Sequence, residues 1–109
     1  MRKRSKLLQG TVDVLILRAL LGESQHGYGI SRWLKERTEG VLALDDAALY
    51  QALHRIEAKR FIEAEWGVTD GNRRAKFYRL TAAGRRQLSA ETGNWRRYAD
   101  AVSKVLDPA

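Results

Sequence analysis

Residues 44–59 read LDDAALYQALHRIEAK and place two different chemistries on one helical repeat. Leu49, Ala52, Leu53 and Ile56 recur at the i, i+3, i+4, i+7 spacing that lines one side of an α-helix, so that side is expected to be buried. Ala47, Ala48, Gln51, His54 and Arg55 fall on the other side: small residues near the start, then side chains that donate and accept hydrogen bonds. Such a helix can approach a polymer closely and touch it with polar groups. Asp45 stands where an N-cap is needed, its carboxylate accepting from first-turn amides that have no intrahelical partner. An ordinary amphipathic surface helix would show the same pattern, and the flanking segments decide between the two.

Downstream of Lys59 the apolar period changes from that of a helix to that of a strand. Residues 61–68, FIEAEWGV, lean their apolar side chains to one face, and alternation returns in residues 75–80, AKFYRL. Residues 69–72, TDGN, form a turn signal, since Asp-Gly followed by Asn tolerates left-handed backbone. Arg73, Arg74, Lys76 and Arg79 crowd the tip and the outgoing strand, whereas Glu63 and Glu65 occupy the incoming one. Cross-strand pairing alone does not call for three cations at a tip; phosphate binding accounts for them. A helix with a polar outward face and a basic hairpin after it match the recognition helix and wing of a DNA-binding module. The expected fold class is therefore mainly α with a small β-hairpin, a winged helix-turn-helix.

Upstream, residues 7–21, LLQGTVDVLILRALL, are apolar nearly all round, with Leu8, Val12, Leu15, Ile16, Ala19 and Leu20 covering more than one stripe. A helix apolar on two sides needs two partners, its own domain and a second subunit. Gly22 is expected to end it by taking positive φ. Residues 24–40, SQHGYGISRWLKERTEG, read as a second helix with Ser24 as N-cap, a buried row of Tyr28, Ile30 and Leu34 with Trp33 beside it, charged outward faces, and Gly40 as its close. Residues 41–44, VLAL, bridge to the third helix as an extended link. Three helices separated by short breaks, the third with the polar outward face, make the helix-turn-helix layout.

Beyond Thr81, a candidate cap, the chain reads as one long helix. Leu88, Thr92, Trp95, Ala99, Val102 and Leu106 recur at alternating steps of four and three, a heptad seam best buried by self-association. The expected organisation is a DNA-binding domain over residues 1–80 and a dimerisation helix over residues 81–109, in one compact unit. Gly84 and Gly93 each weaken a helix by about 1 kcal/mol relative to alanine, so they mark either an interruption or a close backbone approach.

Length and charge agree. The 109 residues suit a single domain, and 20 Lys plus Arg against 13 Asp plus Glu leave a formal charge of +7 that points to a polyanionic partner. Membrane binding is disfavoured: no apolar run reaches the roughly 18 residues needed to span a bilayer, and the cations do not gather on one amphipathic helix. No cysteine is present, so neither a disulfide framework nor a thiolate metal site is available. The MRKRSK start lacks a secretory pattern, which gives a cytoplasmic expectation, and reads as a solvated end or as a supplementary contact to DNA backbone. Nothing points to an enzyme or a cofactor. The serines lack a flanking catalytic pattern, Asp45-Asp46 is explained by helix capping, and His26 and His54 stand far apart with no metal-ligand spacing.

Several segments in this order and spacing, GTVDVLIL, HGYGI, ALYQALHRIE, KFYRLTAAG and the tryptophan of the last helix, resemble the PadR family of bacterial transcriptional regulators. The single terminal helix is similar to that of the family's shorter subgroup. The resemblance implies a winged helix-turn-helix, a dimer through the terminal and first helices, repression of nearby genes including its own, and, in some relatives, phenolic or drug-like effectors. Three departures stand out. Ala47-Ala48 replaces the family's Gly-Ser/Thr pair, Gln51 replaces the proline after the tyrosine, and Arg73-Arg74-Ala75 replaces a basic-Pro-basic run.

The candidate DNA contacts are Tyr50, Gln51, His54, Arg55, Arg73, Arg74 and Lys76. Tyr50 reaches a phosphate or packs in the core; Gln51 and Arg55, one turn apart, face a groove for adenine and for guanine or phosphate, or remain solvated surface. Trp95, large for its seam, either binds a flat aromatic effector near the dimer axis or only anchors the dimer. The function expected is a sequence-specific DNA-binding regulator, a repressor acting as a homodimer on double-stranded DNA and released by an aromatic or drug-like effector. A sequence-tolerant architectural or RNA-binding basic protein is the alternative.

Overall fold

Four helices and three short strands follow in the order α1 (Arg2–Ala19), β1 (Gln25–His26), α2 (Gly27–Arg37), α3 (Asp46–Ala58), β2 (Ile62–Val68), β3 (Arg74–Leu80) and α4 (Ala82–Leu106). They are seen in a computed structural model that describes residues 2–108, with side chains over residues 10–108. Expectations for Leu8 and for the basic side chains of residues 2–6 lie outside the described residues.

The apolar face of α3 is the centre of the core. Leu49, Ala52, Leu53 and Ile56 pack with Ile16 and Leu17 of α1, Leu20 just after it, Ile30 of α2, Ile62 of β2, Tyr78 of β3 and Leu88 of α4. Each fully buried aliphatic side chain stabilises the fold by roughly 1.5–3 kcal/mol, so packing sets the seat of α3 and leaves its other face outward. Asp45 caps it as expected, accepting from the Ala48 amide at 2.8 Å. At the far end Phe61 N–H donates to the Ile56 carbonyl and Arg60 takes φ 65°, a Schellman-type exit without glycine.

That exit is where α4 docks. The Thr81 hydroxyl donates to the Arg60 carbonyl at 2.8 Å and accepts from Gly84 N–H at 3.0 Å, while Thr81 N–H donates to the Phe61 carbonyl. Gly84 answers to the expected close approach: a Cβ there would lie 2.0 Å from the Phe61 carbonyl oxygen. Gly93 has open space apart from the end of Arg97, and α4 runs through both glycines unbroken for 25 residues. Its first turns bury Gly84 and Leu88; farther along, Trp95, Tyr98, Val105 and Leu106 are exposed in the single chain.

Four local expectations are corrected. The cap of α2 is His26, whose Nδ1 accepts from Gly29 N–H at 3.0 Å, and not Ser24. Gln25 and His26 are drawn out of a helical conformation because they pair with Tyr78 and Phe77 of β3, making a three-stranded antiparallel sheet of order β1-β3-β2 rather than a bare hairpin. Tyr28 is 67% exposed, since it sits on the first turn of α2, ahead of the overlap that buries Ile30 and Leu34. Gly22 does not adopt positive φ; α2 closes with Glu39 at φ 54° and then Gly40 at φ 84°, whose N–H donates to the Lys35 carbonyl at 2.8 Å, so the expected glycine shares the close with a glutamate.

Candidate nucleic-acid interface

Register determines which wing residues face α3. Ile62↔Leu80, Ala64↔Tyr78, Trp66↔Lys76 and Val68↔Arg74 are cross-strand partners two residues apart, so all eight side chains fall on one sheet face. At the root this face is core, with Ile62 and Tyr78 buried. Toward the tip it runs out from under the helices and becomes the wall of an open cleft of about 1420 Å³. Tight turn bonds hold the tip: Thr69 N–H donates to the Arg73 carbonyl at 2.8 Å, and Asn72, not Gly71, takes the left-handed position at φ 62°.

The opposite wall is α3 and the start of α2. Ala47, Tyr50, Gln51 and His54 line the cleft with Arg73, Arg74 and Lys76, so six of the seven DNA-contact candidates share one concave surface. Tyr50 is 52% exposed. Its hydroxyl lies against Gly27, where a Cβ would come within 2.8 Å of it, at the positive end of the α2 dipole. Hydroxyl, helix start and wing cations thus present donors to the same space. Arg74 lies over the Trp66 ring, its guanidinium carbon 4.6 Å from the centroid, and Lys76 stands 6.0 Å from the Tyr78 ring centre. Burial first, then the charge of Glu57 and the neighbouring Tyr50, pushes the Tyr78 phenol above its ordinary range.

Arg55 is the seventh candidate and does not join them. Expected beside Gln51 on the outward face, it turns back to α1 and grips Asp13 with Nη2 at 2.6 Å and Nε at 3.4 Å. Position 55 is 40° round the helix from position 51, on the flank that α1 covers, and the long guanidinium reaches a carboxylate 42 residues away in sequence. Arg79 is also outside the cleft, paired with Glu63 at 3.2 Å on the other sheet face. Trp95 stands on α4, its ring 5.9 Å from that of Tyr98, beside a shallow hollow lined by Arg96, Arg97, Ala99, Asp100 and Ser103.

Three residues of the cleft carry no such expectation from the sequence. Trp66, 59% exposed, borders the cleft, and the period-2 pattern that put Ile62 and Ala64 on one face was the signal available for it. His26, the cap of α2, and Arg32, halfway along that helix, line the same space, and nothing local in the sequence shows that β1 brings His26 there. Among the described residues no cluster of histidine and carboxylate side chains could hold a metal ion, and no helix is long and apolar enough to cross a membrane.

Known proteins share this fold. Residues 16–90 match the model of the transcriptional regulator PadR-like family. A protein of Lysinibacillus sphaericus, described only as uncharacterized, is 34% identical over 105 residues, 95% of each chain. Similar solved structures include a transcriptional regulator from Clostridium thermocellum (24% identity, TM-score 0.84, 94% of this chain and 99% of that one). A PadR family regulator from Clostridium difficile is 28% identical with a TM-score of 0.74, over 88% of this chain and 98% of its own. One from Eggerthella lenta is 25% identical with a TM-score of 0.78, over 99% and 92%.

Proposed function

Because this chain belongs to the PadR-like family of transcriptional regulators, which are not enzymes, and has the family's DNA-binding fold, we propose that it is a sequence-specific repressor acting as a homodimer on double-stranded DNA in the cytoplasm. The convergence of Tyr50, Gln51, His54, Arg73, Arg74 and Lys76 on one cleft carries this reading. Gln51 and His54, exposed on α3, are the groups for base edges in the major groove. Tyr50 and the wing cations are the groups for phosphate, which fixes register and supplies most of the affinity. Repression follows from occupancy of a promoter. Dimerisation is assigned to the DNA-distal part of the molecule, residues 81–109 with α1, because the exposed Trp95, Val105 and Leu106 on α4 form an apolar surface that a second copy would cover. Trp95 and Tyr98 on that helix are the aromatic surface on which an aromatic or drug-like effector would act.

Two variants test the DNA reading because they have different signatures. Changing Arg73, Arg74 and Lys76 together to alanine weakens specific and non-specific duplexes alike and lowers the slope of log affinity against log salt by about 0.9 for each phosphate that is no longer neutralised. Gln51→Ala instead relaxes preference at particular base pairs by roughly 1–3 kcal/mol. Unchanged affinity and slope in the triple variant would remove the wing from the interface. Equal affinity for unrelated duplexes in the parent protein would favour the architectural alternative.

A further inference from the structure

Trp66 has an indole that is more than half exposed, and its strand partner is a lysine rather than an apolar residue. It continues the Ile62–Ala64 face of β2 past the end of the core, directly opposite Lys76 and diagonal to Arg74. One ring face carries the Arg74 guanidinium; the rest of the ring borders the cleft shared with Gln51 and His54. A planar cation stacked on a ring keeps its charge and its outward donors while losing freedom to swing away. We propose that Trp66 is itself a DNA-contacting residue: its open edge packs on deoxyribose of the strand whose phosphate Arg74 binds, so indole and guanidinium engage the backbone as one unit. This rests on the reading of the cleft as a duplex-binding surface. It adds to that reading an apolar contact that involves no release of counterions.

The test uses the full-length protein with Trp33 and Trp95 changed to phenylalanine, so that Trp66 is the sole emitter, and a duplex recovered by selection from a random pool. Trp66 emission changes saturably with added duplex, at the same midpoint as a mobility shift. In the otherwise unaltered chain, Trp66→Ala weakens binding by about tenfold while leaving the salt slope as in the parent, whereas Arg74→Ala lowers the slope by about 0.9. Trp66→Phe, which keeps a ring face, restores most of the affinity. Trp66→Ala combined with Arg74→Ala weakens binding by less than the product of the two single effects. Parent-like binding by Trp66→Ala, or emission indifferent to a duplex that the protein demonstrably binds, overturns the inference and leaves the DNA reading standing. Failure of the parent chain to bind any duplex overturns both.

Discussion

Removing either side of the Arg55–Asp13 pair should destabilise the fold without altering which bases are preferred. The two side chains are 28% and 20% exposed, between a surface pair such as Arg32–Glu36, at 60% and 65%, and a fully buried one. Exposed pairs contribute about 0–1 kcal/mol, and breaking a buried pair costs about 3–5 kcal/mol. The two hydrogen bonds from one guanidinium and the partial burial place Arg55→Ala and Asp13→Ala near ~2 kcal/mol each. The double variant should lose about 1–1.5 kcal/mol less than the sum, because each single change already breaks the pair. Chemical denaturation at fixed protein concentration measures the cycle, and binding to the selected duplex and its single-base-pair variants measures preference. Additive effects within about 0.5 kcal/mol, or an Arg55→Ala protein of parental stability that has lost preference at one base pair, would refute the assignment of Arg55 to α1.

Gly84→Ala forces a Cβ onto the Phe61 carbonyl oxygen, so despite better helix propensity it should destabilise by about 2–3 kcal/mol; a neutral or stabilising result in a denaturation curve would show that α4 does not dock there. Tyr78, with its folded pKa raised by burial above the unfolded value near 10, contributes stability that is fully present below that pH and lost as pH rises through the folded value. Tyr78→Phe should therefore flatten the alkaline limb of stability against pH, and parallel curves for parent and variant would contradict this. With Trp33 and Trp66 changed to phenylalanine, planar aromatic compounds should quench Trp95 saturably and lower operator affinity. A compound panel that does neither, in a protein still dimeric and DNA-competent, leaves Trp95 as a structural residue.

Periodicity located α3 and its buried face because a helix seated at the centre of a core must repeat that face in sequence. The wing was legible for the same reason, with the turn residues marking its tip. What escaped depends on neighbours distant in the chain. Two residues, Gln25 and His26, carry no alternation, and only the free edge of β3 makes them a strand. Arg55 looked equivalent to Gln51 because both are polar and one turn apart; the presence of Asp13 on the neighbouring helix is a tertiary fact. Tyr28 was read as core from its type and spacing, although a first-turn residue can lie outside the region where helices overlap. Gly84 is the converse case: a glycine inside a helical pattern marks either an interruption or a close approach, and only the tertiary structure shows that Gly84 is the second and Gly93 neither.

Selection of bound duplexes from a random pool, at physiological salt, tests the central claim most directly. A homodimer presenting two copies of α3 should enrich a two-fold symmetric motif whose half-sites lie one helical turn, about 10 base pairs, or a multiple of it apart. It should bind that motif at least roughly 10³-fold more tightly than unrelated sequence. Enrichment of no motif, with equal binding to all duplexes or to none, would contradict the assignment of the α3–wing cleft as a sequence-reading surface.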